Sequence, residues 1–522
     1  MKIEEIKEKA TYYETELYSK VRKEQREDQT YIDNTFTVPE VHAPHKVIRH
    51  SYGRDMVDAP AEEFITANPQ IFVEVTKGTK DAESRFNKCF NNWIEILRRQ
   101  NPNPFKEGVK NCLARGETFI QLAHNERWLD GEQEGLPVWF LVPEPMNIYA
   151  SPNENENGMP EEVFVIYERQ PKEIILNYPD WSNPKKVGEK DKKKVKYMAY
   201  FNRDSRYAEA DGEALDGGIK PNLYGLVPFI RRYSGFGKRS PSGELADLII
   251  SDIRFARGLL YDECVTVSDI ASSLHLFSHK PVIITSEGTI NRDKLREEFV
   301  LGAYRLIVLD NLPANTKIDI GATINPSMEL LNYYERILGQ IHERCPLLLA
   351  GFPMGTSATQ QRVSITEGKR RYLTIIENTE TSWATAFEKA FEIIKKLPKL
   401  LPPELRKEDL DCEIKCWARF IAPDPVEENR LSLMGSRLFL NKEIDPITNL
   451  VEYKGYTKEE ARQKMIDTLV WTAIYNTPVI QQAIVQAVAK EAGLLEEIQL
   501  AEQASKEATK TLGLTPTPTQ TQ

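Results

Sequence analysis

Apolar residues recur every three or four positions in three long stretches of the second half of the chain, a spacing that predicts helices. The predicted helices cover residues 242–277, 326–345 and 359–396, with Ser242 and Asn325 as N-terminal caps of the first two. Their apolar faces carry Leu245, Ile249, Ile253, Ala256 and Leu260; Leu330, Tyr334, Ile337, Leu338 and Ile341; and Val363, Tyr372, Ile376, Trp383, Phe387, Ala390 and Ile394. Helices of this length are longer than a small core requires.

The region from residue 101 to 233 alternates between helical and strand-like segments. "NPFKEGVKNCLARG" has helical spacing, whereas "ETFIQLAH", "LPVWFLVPEPMNIYA", "EEVFVIYE" and "KKVKYMAYFN" have the β-branched and aromatic content of strands. The polar, turn-rich segments "SPNENENGMP" and "DGEALDGGIKPN" are predicted to be surface loops. This region is therefore predicted to be an α+β domain. Residues 1 to about 35 are predicted to form a charged helix on its outside.

Between the first two long helices lies a predicted α/β insert. "KPVIITSE" and "AYRLIVLD" are typical of strands and "NRDKLREEFVLG" of a helix. Near the C-terminus, "DCEIKCWARFIA" alternates like a strand, and two helices are predicted to open at capping boxes in "DPVEENRLSLMG" and "TKEEARQKMIDTLVW". A final helix is predicted to end at about residue 508, before the disordered "LTPTPTQTQ".

One segment, "PLLLAGFPMGTSATQQ", fits neither helix nor strand although it is apolar. Its leucines, phenylalanine and methionine are interleaved with Gly351, Pro353 and Gly355, which interrupt both kinds of regular structure. It lies between the second and third long helices. The pattern predicts an apolar loop.

Composition narrows the possible functions. The 522 residues suffice for about three domains, and the net charge of −10 argues against tight binding of nucleic acid over the whole surface. The charged N-terminus does not resemble a signal peptide, and no run approaches the roughly 18 apolar residues of a membrane span. We therefore expect a soluble protein that is intracellular where it is made. Six cysteines in so long a chain do not form a disulfide-dense pattern.

The sequence contains no motif that predicts catalysis. "SGFGKRS" fails as a phosphate-binding loop because Arg232 and Arg239 occupy positions that require Gly and Ser or Thr. His275 and His279, four residues apart, have no carboxylate of the HExxH type between them, and Cys412 and Cys416 are more typical of buried thiols than of a zinc site. We expect a protein that is not an enzyme and has no cofactor or metal.

Basic clusters occur at 185–196 and 369–371. Acidic residues lie close to both, and the total charge is negative. Each cluster is therefore more typical of a solvated face than of a nucleic-acid site.

The order of predicted elements resembles the portal proteins of tailed bacteriophages over about residues 40 to 505. Three segments are similar to family segments: "YGRDMVDAPAEEFITANPQIFVEV", "NPFKEGVKNCLARGETFIQL" and "YGLVPFIRRYSGFGKRSPSGELADLI". The resemblance implies a portal-type α+β fold, with this division of the chain: 1–40 an N-terminal extension, 41–240 the wing, 241–279 and 326–345 the stem helices, 280–325 the clip, 346–358 the tunnel loop, 359–421 a long wing helix and strand, 422–508 the helical crown, and 509–522 a disordered tail.

This family forms rings, usually of twelve subunits, at one capsid vertex, and double-stranded DNA passes through the ring during packaging and ejection. The resemblance therefore implies a homo-oligomer located in the virion and assembled in the host bacterial cytoplasm. The implied partners are the terminase large subunit, which hydrolyses ATP, the major capsid and scaffolding proteins, and neck or adaptor proteins, with no membrane. Two alternatives remain open: another ring-forming head–tail adaptor, and an ATP-dependent nucleic-acid enzyme.

The resemblance also assigns roles to particular residues. In the tunnel loop, uncharged residues would narrow the channel or pack against the neighbouring subunit: Leu347, Leu348, Leu349, Gly351, Phe352, Met354 and Gly355. On the second stem helix, Glu329, Glu335 and Glu343 are candidates to face the channel, with a solvated or intersubunit role equally open. In the clip, the candidates for terminase docking are Arg292, Lys294, Arg296 and Glu297.

Overall fold

The computed structural model describes most of the first 420 residues and part of the remainder. The described residues are 2–38, 47–65, 69–78, 80–132, 134–155, 158–182, 194–239, 241, 243–278, 282–285, 317–320, 328–345, 371–420, 425–454, 461–462, 464–469 and 472. The chain divides into two compact units, Met1–Ala422 and Pro423–Gln522. Within the described residues the fold is a mixture of helix and sheet, as the α+β prediction requires.

The helices, in chain order, are α1 Ile3–Tyr12, α2 Ser19–Ile32, α3 Tyr52–Ile65, α4 Lys80–Arg98, α5 Pro104–Arg115, α6 Glu126–Leu129, α7 Pro171–Asn177, α8 Leu245–Leu248, α9 Asp252–Ser278, α10 Met328–Arg344, α11 Leu373–Lys396, α12 Pro425–Leu440 and α13 Pro446–Thr448. A π-helical turn, Tyr13–Leu17, lies between α1 and α2, and another, Asn449–Tyr453, follows α13. Short 3-10 turns occupy Pro145–Asn147, Pro398–Leu400 and Lys407–Asp411.

The strands are β1 Gln70–Lys77, β2 Glu117–His124, β3 Val138–Leu141, β4 Ile148–Ala150, β5 Glu162–Arg169, β6 Val195–Asn202, β7 Ser205–Ala210, β8 Glu213–Ala214, β9 Lys220–Pro221, β10 Phe229–Tyr233, β11 Val282–Thr285, β12 Lys317–Ile320 and β13 Glu413–Arg419. They form a β1–β13 ribbon, a β10–β2–β3 sheet, a β4–β5–β6–β7–β8 sheet with β9 on β7, and a β11–β12 pair. All these pairings are antiparallel.

Local sequence signals account for α5 and the strand after it. The side chain of Asn103 accepts hydrogen bonds from the backbone of Phe105 and Lys106, and Pro104 occupies the first helical position. Gly116 ends the helix at φ 82°, and a Cβ there would lie 2.6 Å from the backbone of Ile250. Only glycine fits this position. The segments predicted as strands contain β2, β3 with β4, β5 and β6, which confirms those predictions.

The charge of the N-terminal segment predicted a peripheral helix, but α1 and α2 contribute to the core of the first unit. One side of α1 and α2 is buried against the larger sheet in a cluster that includes Ile6, Tyr18, Val21, Phe164 and Tyr200. Many of the charged residues lie on the other side or form ion pairs with the sheet, whereas Asp28 is buried and pairs with Arg257 of α9. This segment is therefore an integral part of the first unit's core.

Aromatic side chains of α4, α5 and α11 form the largest described core. Ring centroids lie 4.3 Å apart for Phe105 and Trp383, and 4.8 Å apart for Phe86 and Phe391. The β1–β13 ribbon and the inner face of β2 and β3 pack on the same cluster. Because α11 lies at the centre of this core, the helix that follows the apolar segment is anchored firmly.

The first long helix is interrupted. A single helix was predicted from Ser242, but α8 ends at Leu248 and α9 begins at Asp252. The hydroxyl of Ser234 donates to the carbonyl of Ile250 at 2.6 Å, and Gly116 lies against the same backbone. These contacts hold the intervening residues out of helical geometry. Ser242 lies outside the described residues, and the hydroxyl of Ser251 instead accepts a hydrogen bond from Arg254 N at 3.0 Å, as a cap does.

The other long elements agree with the predictions where the structure describes them. α10 and α11 fall within the predicted second and third helices, β13 within the predicted strand, and α12 within the predicted C-terminal helix. β11 lies in "KPVIITSE", and its partner β12 was not predicted. The segments "NRDKLREEFVLG" and "AYRLIVLD" and residues 346–370 lie outside the described residues.

Candidate functional site: the helix pair and its base

α9 and α10 pack side by side in opposite directions. The hydroxyl of Tyr334 lies 3.4 Å from Glu263, and Arg344, at the end of α10, lies 3.6 Å from Asp252, at the start of α9. Ile337 is buried in this contact. The strand pair β11–β12 lies in the segment that connects the two helices. The arrangement is therefore an antiparallel helix pair whose connecting segment contains a two-stranded antiparallel pair.

The three predicted acidic residues of α10 lie on its exposed side. Around a helix with about 100° per residue, Glu329 and Glu343 are about 40° apart, and Glu335 is about 120° from Glu329. All three are exposed. Arg336 is also exposed on this side, whereas Arg344 is partly buried and lies against Asp252. The exposed side of α10 therefore carries three carboxylates and one guanidinium, and is acidic.

α10 also exposes apolar side chains on both flanks of its buried face. The exposed fraction is 71% for Met328, 36% for Leu331 and 47% for Tyr333. Leu331 and Tyr333, two positions apart, point about 160° away from each other around the helix. α10 therefore has solvent-accessible apolar surface on two flanks of the single chain.

A buried carboxylate links the helix pair to the segment before α3. Glu263 on α9 is 2% exposed, and the Nδ1 of His50 lies 2.6 Å from its Oε1. Burial, followed by the nearby charge of Glu263, raises the pKa of Tyr334 to about 12, so this hydroxyl keeps its proton at neutral pH. Glu263 thus holds three elements together: α9, α10 and the chain entering α3.

A second buried carboxylate lies at the base of the pair, where α9 begins. Arg371 Nη2 donates to Asp252 Oδ1 at 2.6 Å, and Arg371 Nη1 donates to the carbonyl of Arg344. The hydroxyl of Tyr372 lies 3.5 Å from both Asp252 Oδ2 and the Sγ of Cys345. Burial lowers the pKa of Arg344, and burial raises the pKa of Tyr372. Sequence analysis identified none of these contacts.

The start of α9 is also held by α2 from its other side. The hydroxyl of Ser251 donates to Asp28 Oδ2 at 2.7 Å, and Arg257 Nε donates to Asp28 Oδ1 at 2.8 Å. Burial raises the pKa of Asp28 in spite of Ser251 and the two arginines of α9 that face it. The N-terminal helices therefore reach the base of the helix pair.

Several sequence candidates fall outside the described residues. These are the tunnel-loop residues Leu347, Leu348, Leu349, Gly351, Phe352, Met354 and Gly355, the clip residues Arg292, Lys294, Arg296 and Glu297, and the side chains of His275 and His279. Most of the basic cluster at 185–196 also lies there. Of the cluster at 369–371, Arg371 is described and pairs with Asp252. Arg371 therefore forms an ion pair within the fold rather than a free basic surface.

The glycine-rich "SGFGKRS" packs against protein. A Cβ at Gly235 would lie 2.3 Å from Thr374, and one at Gly237 would lie 2.1 Å from the carbonyl oxygen of Leu248. Lys238 N donates to the carbonyl of Asp247 at 3.0 Å. The glycines therefore permit close packing of the backbone before α8.

All six cysteines are buried. Within the described residues, no group of three His, Cys, Asp or Glu side chains is arranged to hold a metal ion. Among the described helices, none combines the length and the apolar character that a membrane crossing requires.

No family model matches the sequence, and no curated protein matches it. Three solved structures of gene transfer agent particles contain similar chains. A chain from the neck of an empty particle, computed with C6 symmetry, is 13% identical with a TM-score of 0.44, covering 83% of this chain and 94% of that one. A chain from the virion of a native particle is 12% identical with a TM-score of 0.42, covering 82% and 98% respectively. A chain from the neck of a native particle, computed with C12 symmetry, is 13% identical with a TM-score of 0.41, covering 78% and 90%.

Proposed function

We propose that this chain is the portal protein of a tailed bacteriophage or a phage-like particle, a subunit of a ring at one capsid vertex through which double-stranded DNA passes. One observation carries the proposal: an α+β region is followed by two antiparallel helices, α9 and α10, that flank an insert containing the β11–β12 pair. This is the order of wing, stem and clip that the sequence resemblance implies.

Ring formation is supported by the exposed flanks of α10. Leu331 and Tyr333 leave apolar surface on both sides of one helix, and a subunit in a closed ring contacts a neighbour on each side. A ring of about twelve subunits is the form we propose from the resemblance. Burial of these side chains between subunits would stabilise the ring through the hydrophobic effect.

A conduit role is supported by charge. The chain carries an excess of acidic residues, and Glu329, Glu335 and Glu343 lie on the exposed side of α10. A channel wall that held many phosphates through Lys and Arg would resist movement of DNA. The terminase large subunit, capsid, scaffolding and neck proteins are the partners we propose, with the clip as the docking surface for the terminase.

The test is electron microscopy of the purified protein, with two-dimensional class averages. We expect rings with a central hole and about twelve-fold symmetry. Rings of clearly different symmetry without a channel wide enough for duplex DNA would favour a head–tail adaptor. ATP turnover well above background by the pure protein would contradict the proposal in favour of an enzyme.

A deletion tests the proposed tunnel loop. Removal of residues 347–355 should leave the rings intact, because α10 is held by its contacts with α9 and α11 by the aromatic core, but should reduce DNA filling or retention in a packaging assay. Normal filling by the deletion variant would show that the segment serves packing alone. A deletion of the same length near the C-terminus, residues 512–520, in the segment whose sequence predicts disorder, is the matched control.

A further inference from the structure

The described chain leaves α10 at Cys345 and returns at Arg371, and one carboxylate contacts both ends. Asp252 is 1% exposed, and it lies in the first turn of α9 rather than on either of the segments it contacts. Arg344 and Arg371 are 27 positions apart along the chain. The two ends of residues 346–370 therefore meet at a third element.

The guanidinium of Arg371 contacts two different helices. Its Nη2 donates to Asp252 Oδ1 at 2.6 Å, and its Nη1 donates to the backbone carbonyl of Arg344. That carbonyl belongs to the last turn of α10, where helix carbonyls lack partners within the helix. The guanidinium thus joins the end of α10 to the start of α9, as the planar fork of arginine allows and lysine does not.

The position of Asp252 suits a negative charge. The first turn of a helix carries the positive end of the helix dipole, and Ser251 in front of it is held by Asp28. Arg344 and Arg371 approach the same oxygen, Oδ1, at 3.6 Å and 2.6 Å. Without the carboxylate, the two guanidinium groups would repel each other in a partly buried place. The negative charge of Asp252 therefore attracts the positive charges of Arg344 and Arg371, which belong to two different segments.

We propose that Asp252, Arg344 and Arg371 form an ionic clasp that fixes both ends of residues 346–370 to the first turn of α9. Asp252 acts in it as a positioning residue. The clasp itself does not depend on the proposed function. Its consequence does rest on that function: in a portal ring, the clasp would set where the segment that contains the proposed tunnel loop leaves the stem and where that segment reaches α11.

The test is backbone hydrogen exchange followed by mass spectrometry on the full chain, comparing the wild type with Asp252→Asn. We expect amides in the last turn of α10 and the amide of Ile376, which donates to the carbonyl of Tyr372, to exchange at least about tenfold faster in the variant, with β2 unchanged. Unchanged exchange at the two ends would overturn the proposal. An equal increase at β2 would also overturn it, because a general loss of stability is not a clasp.

A second variant and a control keep the result decisive if Asp252→Asn folds poorly. Arg371→Gln changes the more exposed partner and should give the same pattern at both ends of the segment. Asp409→Asn removes an equally buried carboxylate that pairs with Arg85 far along the chain, and should not raise exchange at the two ends above any increase at β2. Absence of rings in electron micrographs of the wild type would contradict the proposed function alone, since exchange reports on contacts within one chain.

Discussion

Arg231 is a fully buried guanidinium whose charge is balanced by two carboxylates. Its Nε and Nη2 donate to Glu117 Oε2 at 3.0 Å and 2.8 Å, and its Nη1 donates to Glu154 at 3.2 Å. Glu154 comes from the segment "SPNENENGMP", which was predicted to be a surface loop, and Arg22 from α2 also reaches Glu117, at 3.4 Å. Breaking such a pair on one side leaves a buried charge alone. These residues thus tie a loop and the N-terminal helices to the small sheet.

The pair between Asp409 and Arg85 gives a pH-dependent prediction. The hydrogen bond from Arg85, which also donates with Nε at 2.9 Å, lowers the pKa of Asp409 from its usual 3.8. A carboxyl group whose pKa is lower in the folded state stabilises the fold above its unfolded pKa, and this contribution is lost as the pH falls through the folded pKa. Asp409→Asn should therefore lower the free energy of unfolding at pH 7 by about 2 kcal/mol.

Urea unfolding of the wild type and the variant from pH 7 down to pH 3 measures this effect. The difference between them should be constant at neutral pH and should shrink below pH 3.8. A difference that stays constant over the whole range would mean that the carboxylate charge contributes nothing. Asp204→Asn, which removes a carboxylate with no described ion pair, is a control expected to stay within about 0.5 kcal/mol of the wild type.

Among the elements, the β1–β13 ribbon has only two strands, so each strand has an outer edge with no neighbouring strand. Asn87 of α4 covers the edge of β1 by accepting from Val73 N at 2.9 Å and donating to the carbonyl of Val73 at 3.2 Å. On β13, Cys416 N donates to Glu388 at 2.7 Å and Phe420 N to Glu380 at 2.8 Å. Helix side chains thus take the place of neighbouring strands, which protects the ribbon from pairing with other chains.

Asn87→Ala should open the edge of β1. Loss of both hydrogen bonds leaves the N–H and carbonyl of Val73 without these partners in a partly buried place, so the free energy of unfolding should fall by about 1–3 kcal/mol. Thermal or urea unfolding measures the change, and light scattering would report edge-to-edge association. Asn92→Ala, on the exposed side of the same helix, is the matched control and should be close to neutral. Equal losses in the two variants would contradict the role given to Asn87.

The sequence predicted elements whose signals are local. α5 carries its own cap, proline and terminal glycine, and β5 and β6 carry their own alternation. It did not predict the break at Ile249–Ser251, because that depends on Ser234 and Gly116 from other segments. The sequence also predicted that α1 and α2 lie on the outside, because Tyr13 and Tyr18 are scattered among charged residues. In the structure these two side chains are buried against the sheet.

The candidate site divides in the same way. An exposed side of α10 with Glu329, Glu335 and Glu343 could be predicted from helical spacing, and whether it faces a channel stays a prediction. The contacts at Asp252 could not be predicted. They join residues from three distant segments, and the only local signal was an acidic residue in the first turn of a helix. Pairing of distant charges becomes visible only in three dimensions.

At the scale of the whole molecule, the exposed flanks of α10 give a prediction about assembly. Leu331→Asp places a charge on a flank that we propose to be buried between subunits, and desolvation of that charge should weaken the ring. We expect a shift to smaller species in size-exclusion chromatography with light scattering, while the unfolding of the single chain changes by no more than about 0.5 kcal/mol. Leu176→Asp is the matched control, because Leu176 is 81% exposed on α7, away from the helix pair.

Wild-type assembly of Leu331→Asp would contradict the placement of that flank at a subunit contact. A loss of assembly in both variants would instead indicate an effect of added charge in general. If the ring has the twelve subunits that we propose, twelve copies of a chain with net charge −10 carry about −120, so moderate salt is needed in this experiment to screen repulsion between subunits.

The β1–β13 ribbon also constrains when the chain can fold during its synthesis. The hydroxyl of Thr76 donates to the carbonyl of Glu413, 337 positions later. At about 5–20 residues per second, a ribosome needs roughly 20 to 70 s to make that stretch. Throughout this time β1 and the aromatic face of α4 lack α11 and β13, on which they pack. The nascent chain therefore presents apolar surface for tens of seconds, an interval in which a chaperone that binds unfinished chains would determine how much of the protein folds rather than aggregates.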